Sequence, residues 1–297
     1  MPHLLEMIST VFLGPDPAER RSGTSNGKVH AGKPSRPRGA APAPLSCRCA
    51  SKRYRDGAGE RLVLREVTCD FQPGLTLIVG PSGSGKTTLL NLLAGLDEPT
   101  SGTIAVAGRP LRYDERSLAA HRRRCAVVFQ DLNLVPHLTV RENVALPLLI
   151  AGESRADALR EADQALEDVD AQQLAARYPS QLSRGQRQRV AIGRASYANV
   201  MLADEPTASL DRESADQMME LLASLADQKK TIVVVSHDWE LATRYANLVL
   251  ECRDGLLTRV SIDPSRPERE TYAGPPTTLI EAPLSTSDRI LPTGDMR

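Results

Sequence analysis

The segment GPSGSGKT, residues 80–87, carries glycines, a lysine and a hydroxyl at the spacing that grips a phosphate chain. Gly80, Gly83 and Gly85 let backbone N–H groups turn inward around phosphate oxygens, and Pro81, Ser82 and Ser84 complete the loop. Lys86 supplies a cation for the β- and γ-phosphates, and the Thr87 hydroxyl suits Mg²⁺. Thr88 leads into the apolar stretch LLNLLAGL, whose helix would point its positive dipole end at the same anion. Far downstream, Asp204 near the end of VMLADE is placed to hold the magnesium through a coordinated water. Glu205 beside it is a second carboxylate, able to orient and polarise an attacking water as a general base. These residues describe a nucleoside triphosphatase and nothing narrower.

Such groups need rigid elements to hold them. The apolar runs LTLIVG (75–80), CAVVFQ (125–130), VMLADE (200–205) and TIVVVSH (231–237) read as buried strands of a largely parallel α/β sheet. In open sheets of this kind ligands bind beyond the carboxyl ends of the strands, and each run ends there in glycine or polar residues. Between the second and third runs the chain is too long for a simple crossover and holds the helical pattern SRADALREADQALEDVD (154–170). A helical subdomain is therefore expected at about 131–195, inside one domain spanning 45–262. Residues 1–44 and 263–297 are rich in Pro, Gly and Ser, lack a hydrophobic period, and read as disordered tails.

Composition narrows the partners. The 297 residues are 41% hydrophobic and 25% charged, as in an ordinary globular protein, and the formal charges sum to zero. Nucleic acid is not expected as a partner, because binding it usually demands a basic excess. Five cysteines without paired CxxC spacing fit reduced thiols better than a disulfide framework or a zinc site. The longest apolar run, around 144–151, contains Pro147 and falls far short of the ~20 residues that span a bilayer. The start MPHLLEMISTVFLG lacks the basic region and cleavage site of a secretion signal.

LSRGQRQR at 182–189, just ahead of the Asp204 strand, resembles the signature of the ABC (ATP-binding cassette) family. Around it, in family order, stand Tyr54, Gln130 at the end of CAVVFQ, Ser209, Leu210 and Asp211 after DEPTA, and His237 in VVVSHD. The resemblance covers roughly 45–262. It implies a P-loop NTPase core of mainly parallel sheet, an N-terminal antiparallel β subdomain and a helical subdomain. It implies ATP and Mg²⁺ as ligands and ATP hydrolysis as the activity. Tyr54 would stack on adenine. Gln130 would reach the magnesium or the water and pull the helical subdomain inward when the γ-phosphate is present. His237 would stabilise charge developing on the γ-phosphate. Ser183, Gly185 and Gln186, at the start of the signature helix, would meet the ATP held by a second cassette, with Asp211 on the same seam. Two copies would then drive separate transmembrane permease subunits from the cytoplasmic face of the membrane.

Two positions depart from the family pattern. Arg184 stands where glycine is usual, and the connection from the signature helix to the Asp204 strand is about two residues short. Both leave open an alternative, a nucleotide-gated cassette that hydrolyses weakly or not at all. The basic run HRRRC (121–125) reads as a solvated face, with an acidic partner or lipid headgroups as the other reading. PHLTVRENVALPLL (136–149) and NLLAGLDEPTSGTI (91–104) are similar to cassettes of the lipoprotein-releasing and macrolide-export type. That group includes both exporters and cassettes that transmit mechanical work.

Overall fold

The computed structural model describes residues 42–57, 59–260 and 269–271. Two sheets share the structure. Strands β1 (Leu45–Asp56), β2 (Gly59–Phe71), β4 (Ser101–Val106) and β5 (Arg109–Pro110) form an antiparallel sheet in the order β2-β1-β4-β5. The second sheet has the order β11-β10-β9-β3-β8-β7-β6. Its five parallel strands are β3 (Gly74–Val79), β6 (Cys125–Val128), β7 (Val200–Asp204), β8 (Thr231–Ser236) and β9 (Leu248–Arg253). Strands β10 (Leu256–Val260) and β11 (Arg269–Thr271) continue it antiparallel at one edge.

The four apolar runs of the sequence are the β3, β6, β7 and β8 strands, and their continuous hydrophobicity follows from burial on both faces. Met201 and Ala203 of β7 join Ile232 and Val234 of β8 in one core, while Val200, Leu202, Val233 and Val235 join the other. The first core lies under the later helices. The second is closed by the antiparallel sheet and helix α1 (Lys86–Ala94), through Leu45, Leu64, Phe71, Leu89 and Leu93. The antiparallel sheet is thus clamped to the larger sheet by a shared apolar layer, which is what allows its residues to face the phosphate loop.

The remaining helices are α2 (Glu115–Arg122), α3 (Val140–Ile150), α4 (Arg155–Asp168), α5 (Arg184–Ala195), α6 (Arg212–Asp227) and α7 (Trp239–Tyr245). Between β6 and β7 lie α3, α4 and α5, packed on one another. Capping boxes set the starts of α3 (Thr139 with Glu142) and α5 (Ser183 with Gln186). Fully buried Asn143 fixes the entry to α3: its Oδ1 accepts from the Val135 N–H at 2.7 Å and its Nδ2 donates to the Val135 and Leu138 carbonyls.

The short connection after α5 is firmly tied. Ser196 donates through its hydroxyl to the Gly193 carbonyl at 2.9 Å, Tyr197 donates to the Arg122 carbonyl at 3.3 Å, and Ala198 is buried. Helix α5 therefore ends at Ala195 and turns directly into β7. In HRRRC only Arg123 and Arg124 are exposed: Arg122 is half-buried, Cys125 is buried, and His121 is buried with Nε2 against the Leu93 carbonyl at 2.8 Å, so the solvated face reduces to two arginines. One segment differs from expectation: Arg269–Thr271, assigned from sequence to a tail, pairs with Thr258–Val260 because β10 offers an open edge. Residues 1–41 and the rest of 263–297 lie outside the described residues. No described helix is long and apolar enough to cross a membrane.

Candidate active site

The phosphate loop joins β3 to α1, and its glycines are required by contact as well as by conformation. A Cβ on Gly80 (φ 154) would stand 2.1 Å from the Cys252 carbonyl oxygen, and one on Gly85 (φ 107) would meet Leu64 at 2.9 Å and the Val63 carbonyl at 3.0 Å. Lys86 is buried and donates to the Gly80 carbonyl at 2.8 Å and the Pro81 carbonyl at 3.0 Å. Two of its three donors thus close the loop on itself, leaving one for a ligand. The Ser84 carbonyl accepts from the Cys252 thiol at 3.2 Å, which ties the loop to β9.

Helix α1 differs from the other α-helices described. Each of α2 to α7 begins with a side chain that accepts a first-turn N–H, whereas α1 begins at Gly85 with no side-chain cap and no acidic residue in its first turn. Its first N–H groups are therefore left for an external acceptor, and the helix dipole favours an anion there.

Across the loop, the Thr87 hydroxyl donates to Asp204 Oδ1 at 3.3 Å. Burial raises the Asp204 pKa, the neighbouring Glu205 adds to the rise, and the Thr87 bond and Lys86 oppose it. A hydroxyl and a carboxylate at this distance are hard oxygen donors of the kind magnesium prefers. Among the described residues no cluster of His, Cys, Asp and Glu builds a metal cage. The pair fits an ion that takes its other ligands from phosphate and water, as Mg²⁺ does.

Glu205 sits in left-handed backbone (φ 49), held by its N–H to the Val235 carbonyl at 3.0 Å and by the Ala208 N–H to its own carbonyl at 3.2 Å. That turn sends the two adjacent carboxylates to different tasks. His237, just beyond β8, brings Nδ1 to 2.8 Å from Glu205 Oε2. A carboxylate only accepts, so Nδ1 carries the hydrogen in this pair.

Tyr54, exposed on β1, donates its hydroxyl to Asp97 at 2.8 Å, and Lys52 holds the same carboxylate at 2.6 Å while its ammonium lies 5.0 Å from the Tyr54 ring centre. The ring is thereby fixed with a polarising cation beside it. Burial, then the Asp97 contact, raises its phenol pKa.

One cleft of about 640 Å³ gathers these groups: Tyr54, Ser82, Gly83, Gly85, Lys86, Thr87, Thr88, Gln130, Asp204, Glu205 and His237 all line it. Arg61, Val63 and Ala208 line it too, and sequence reasoning missed them. Arg61 stands opposite Tyr54 in the β1–β2 register, a pairing that no sequence spacing announces. Gly80, Pro81 and Ser84 form the loop behind the lining.

Ser183, Gly185, Gln186 and Asp211 do not line the cleft. At the start of α5, Ser183 accepts from the Gln186 N–H at 3.2 Å and Gln186 accepts from the Ser183 N–H at 3.0 Å. No described hydrogen bond takes the N–H groups of Arg184 and Gly185, which stand in the first helical turn. Leu210 approaches to 4.0 Å of a Cβ position on Gly185, so the signature and the Leu210–Asp211 segment adjoin. Asp211 caps α6, accepting from the Ser214 N–H at 2.9 Å, a bond that lowers its pKa. The last turn of α5 holds buried Arg194, whose guanidinium donates to the carbonyls of Leu132 and Asn133 at 2.6 Å each. Those two residues follow Gln130 closely and both have positive φ, so the signature helix grips the strained loop that carries Gln130.

Comparison with known proteins identifies the family. The family model described as ABC transporter matches residues 64–208. The macrolide export ATP-binding/permease protein MacB of Shigella flexneri is 40% identical over 226 residues, covering 74% of this chain and 34% of that protein. MacB of Bradyrhizobium diazoefficiens is 42% identical over 211 residues, covering 69% and 32%. The chain thus spans about a third of the length of the curated relatives it matches. Among solved structures, the ATP-binding cassette MJ0796, dimeric and bound to ADP and Pi in a post-hydrolysis state, is 34% identical with a TM-score of 0.65, over 71% of this chain and 95% of that one. CbiO1 of Clostridium perfringens, part of the ABC transporter complex cbiONQ, is 26% identical with a TM-score of 0.67, over 73% and 87%.

Proposed function

The chain belongs to the ABC transporter family and is an ATPase cassette, and from that premise we propose that two copies clamp two ATP molecules and drive a separate membrane permease. The observation that carries the reading is the convergence of Lys86, Thr87, Asp204, Glu205 and His237 on one cleft, below an uncapped helix start. In this reading the loop amides and Lys86 bind the triphosphate, and adenine stacks on the Tyr54 ring. Thr87 and Asp204, with Gln130 on the cleft wall, would hold Mg²⁺, which would supply charge neutralisation for the bound phosphates. Glu205 orients and deprotonates the attacking water.

His237 is positioned to meet the γ-phosphate through its second nitrogen. Because Nδ1 is committed to Glu205, Nε2 donates to a phosphate oxygen only as imidazolium, or after Glu205 turns to the water and releases the ring. The free amides of Arg184 and Gly185 are the group left to cover the γ-phosphate of the partner cassette's ATP, since they lie away from the chain's own cleft.

The similarity to MacB favours an exporter or mechanotransmitting permease as partner, and a peripheral place on the cytoplasmic membrane face. The test has two arms. Purified chain with Mg-ATP is expected to release phosphate, and affinity capture from membranes with ATP is expected to retrieve a permease. Retrieval of ribosomes or DNA in its place would overturn the transport reading. ATP binding without turnover in the presence of the permease would leave the nucleotide-gated, weakly hydrolysing cassette.

A further inference from the structure

We propose that Arg61 is a further nucleotide-binding residue, a guanidinium arm on β2 that contacts the α-phosphate; this rests on reading the cleft as the nucleotide site. The β1–β2 register sets Arg61 opposite Tyr54, and both line the cleft. Two residues on, Val63 also lines it and packs at the phosphate end, where its Cγ1 lies 3.5 Å and its carbonyl 3.0 Å from a Cβ position on Gly85. The β1–β2 register shifts at Val63, where Lys52 pairs with Leu64 and Arg53 with Leu62, so strand alternation is interrupted there and it is the shared cleft lining that brings Arg61 and Val63 together. Arg61 thus lies on the cleft wall between Tyr54, its cross-strand partner, and Val63, which packs against the start of α1.

Its charge is uncommitted. Several cations of the antiparallel sheet are paired, Arg53 and Arg55 with Glu60, Lys52 with Asp97 and Arg48 with Asp70, while Arg65 and Arg109, which have no ion pair among the described residues, do not line the cleft. Arg61 has no ion pair or side-chain hydrogen bond among the described residues, and its side chain is exposed to the cleft. The acids of the cleft, Asp204 and Glu205, lie at the carboxyl end of β7 and are engaged with Thr87 and His237. A planar fork donor facing a phosphate cradle, with no protein acceptor, matches a phosphate oxygen pair better than a ribose hydroxyl or a base edge. Lys86 serves the far phosphates and leaves the one nearest the sugar without a cation, and Arg61 fills that place.

The experiment is equilibrium binding to the full chain of two probes, ATP and inorganic tripolyphosphate, with wild type, Arg61→Ala, Arg61→Lys and Lys86→Ala. Arg61→Ala is expected to weaken both probes about tenfold, the low end for a charge-assisted bond in a solvated cleft, and to flatten the salt dependence. Arg61→Lys should recover part of the loss, since it keeps the charge and loses the fork. Weakening of ATP alone would place Arg61 on the base or ribose and overturn the proposal, as would no change in either probe. If Lys86→Ala abolishes ATP binding while Arg61→Ala does nothing, the cleft reading stands and the Arg61 assignment falls. If Lys86→Ala leaves ATP binding intact, the cleft reading itself fails.

Discussion

Replacing Glu205 with glutamine isolates chemistry from fold. The left-handed turn at Glu205 is held by main-chain bonds, its N–H to Val235 and its carbonyl from Ala208, and neither depends on the carboxylate. The amide has the same shape and its carbonyl oxygen still accepts from His237 Nδ1. What disappears is the proton acceptor for water. Loss of a positioned general base costs roughly 10²- to 10⁴-fold in rate, equivalent to about 3–5 kcal/mol of transition-state stabilisation. Steady-state phosphate release under saturating Mg-ATP is expected to fall by that factor in Glu205→Gln, with ATP affinity within about twofold of wild type because Lys86 and the loop amides are untouched. Size exclusion in ATP should then show the variant as a dimer, since ATP is bound and not turned over. Turnover within about fivefold of wild type would refute Glu205 as the base and move that role to another group on the cleft wall.

Other perturbations follow from the same geometry. Asp204→Asn should raise the melting temperature in EDTA while abolishing Mg-dependent hydrolysis. The sign follows from the raised folded-state pKa: the folded state keeps the proton to higher pH than the unfolded one, so the penalty for ionising Asp204 is absent below the unfolded carboxylate value and grows as pH rises through the folded one. The stability gap between Asp204→Asn and wild type should therefore widen from acid to neutral pH in thermal melts, and a gap that shrinks would contradict the assignment. Gly80→Ala should destabilise the protein by about 3 kcal/mol in urea titration, because its Cβ is forced against the Cys252 carbonyl. Arg194→Met should cost about 2–5 kcal/mol in the same assay by leaving the Leu132 and Asn133 carbonyls unpaired, with partial recovery in Arg194→Lys.

What was legible in the sequence was local. The phosphate loop is written in consecutive residues because its function is a backbone conformation, and Gly80 and Gly85 are glycine for steric reasons that travel with the motif. The β3, β6, β7 and β8 strands were legible because burial on both faces leaves an unbroken apolar run. Arg61 was not legible, since its place in the cleft depends on two sheets sharing one apolar layer, a long-range fact with no local spacing. Arg194 was hidden for the opposite reason: on a helix named for its first residues, it sits at the last turn and works on a loop some sixty residues earlier.

Arg194 also changes what the short connection after α5 means. From sequence alone, two missing residues threaten to shorten the signature helix or redirect its exit. Here the helix runs to Ala195, and its last turn is fixed from two sides, by Arg194 on the Gln130 loop and by Ser196 on Gly193. The two ends of α5 are thus mechanically one object: amides free for an anion at the start, a grip on the Gln130 segment at the finish. A helix is stiff over this length, so if an anion displaces the signature end, the expected place for the movement to arrive is Leu132 and Asn133, two residues already held at positive φ. The exit itself lies beyond Arg194, so the contact that joins α5 to the Gln130 segment is made before the chain turns into β7 and is intact with the connection as it stands.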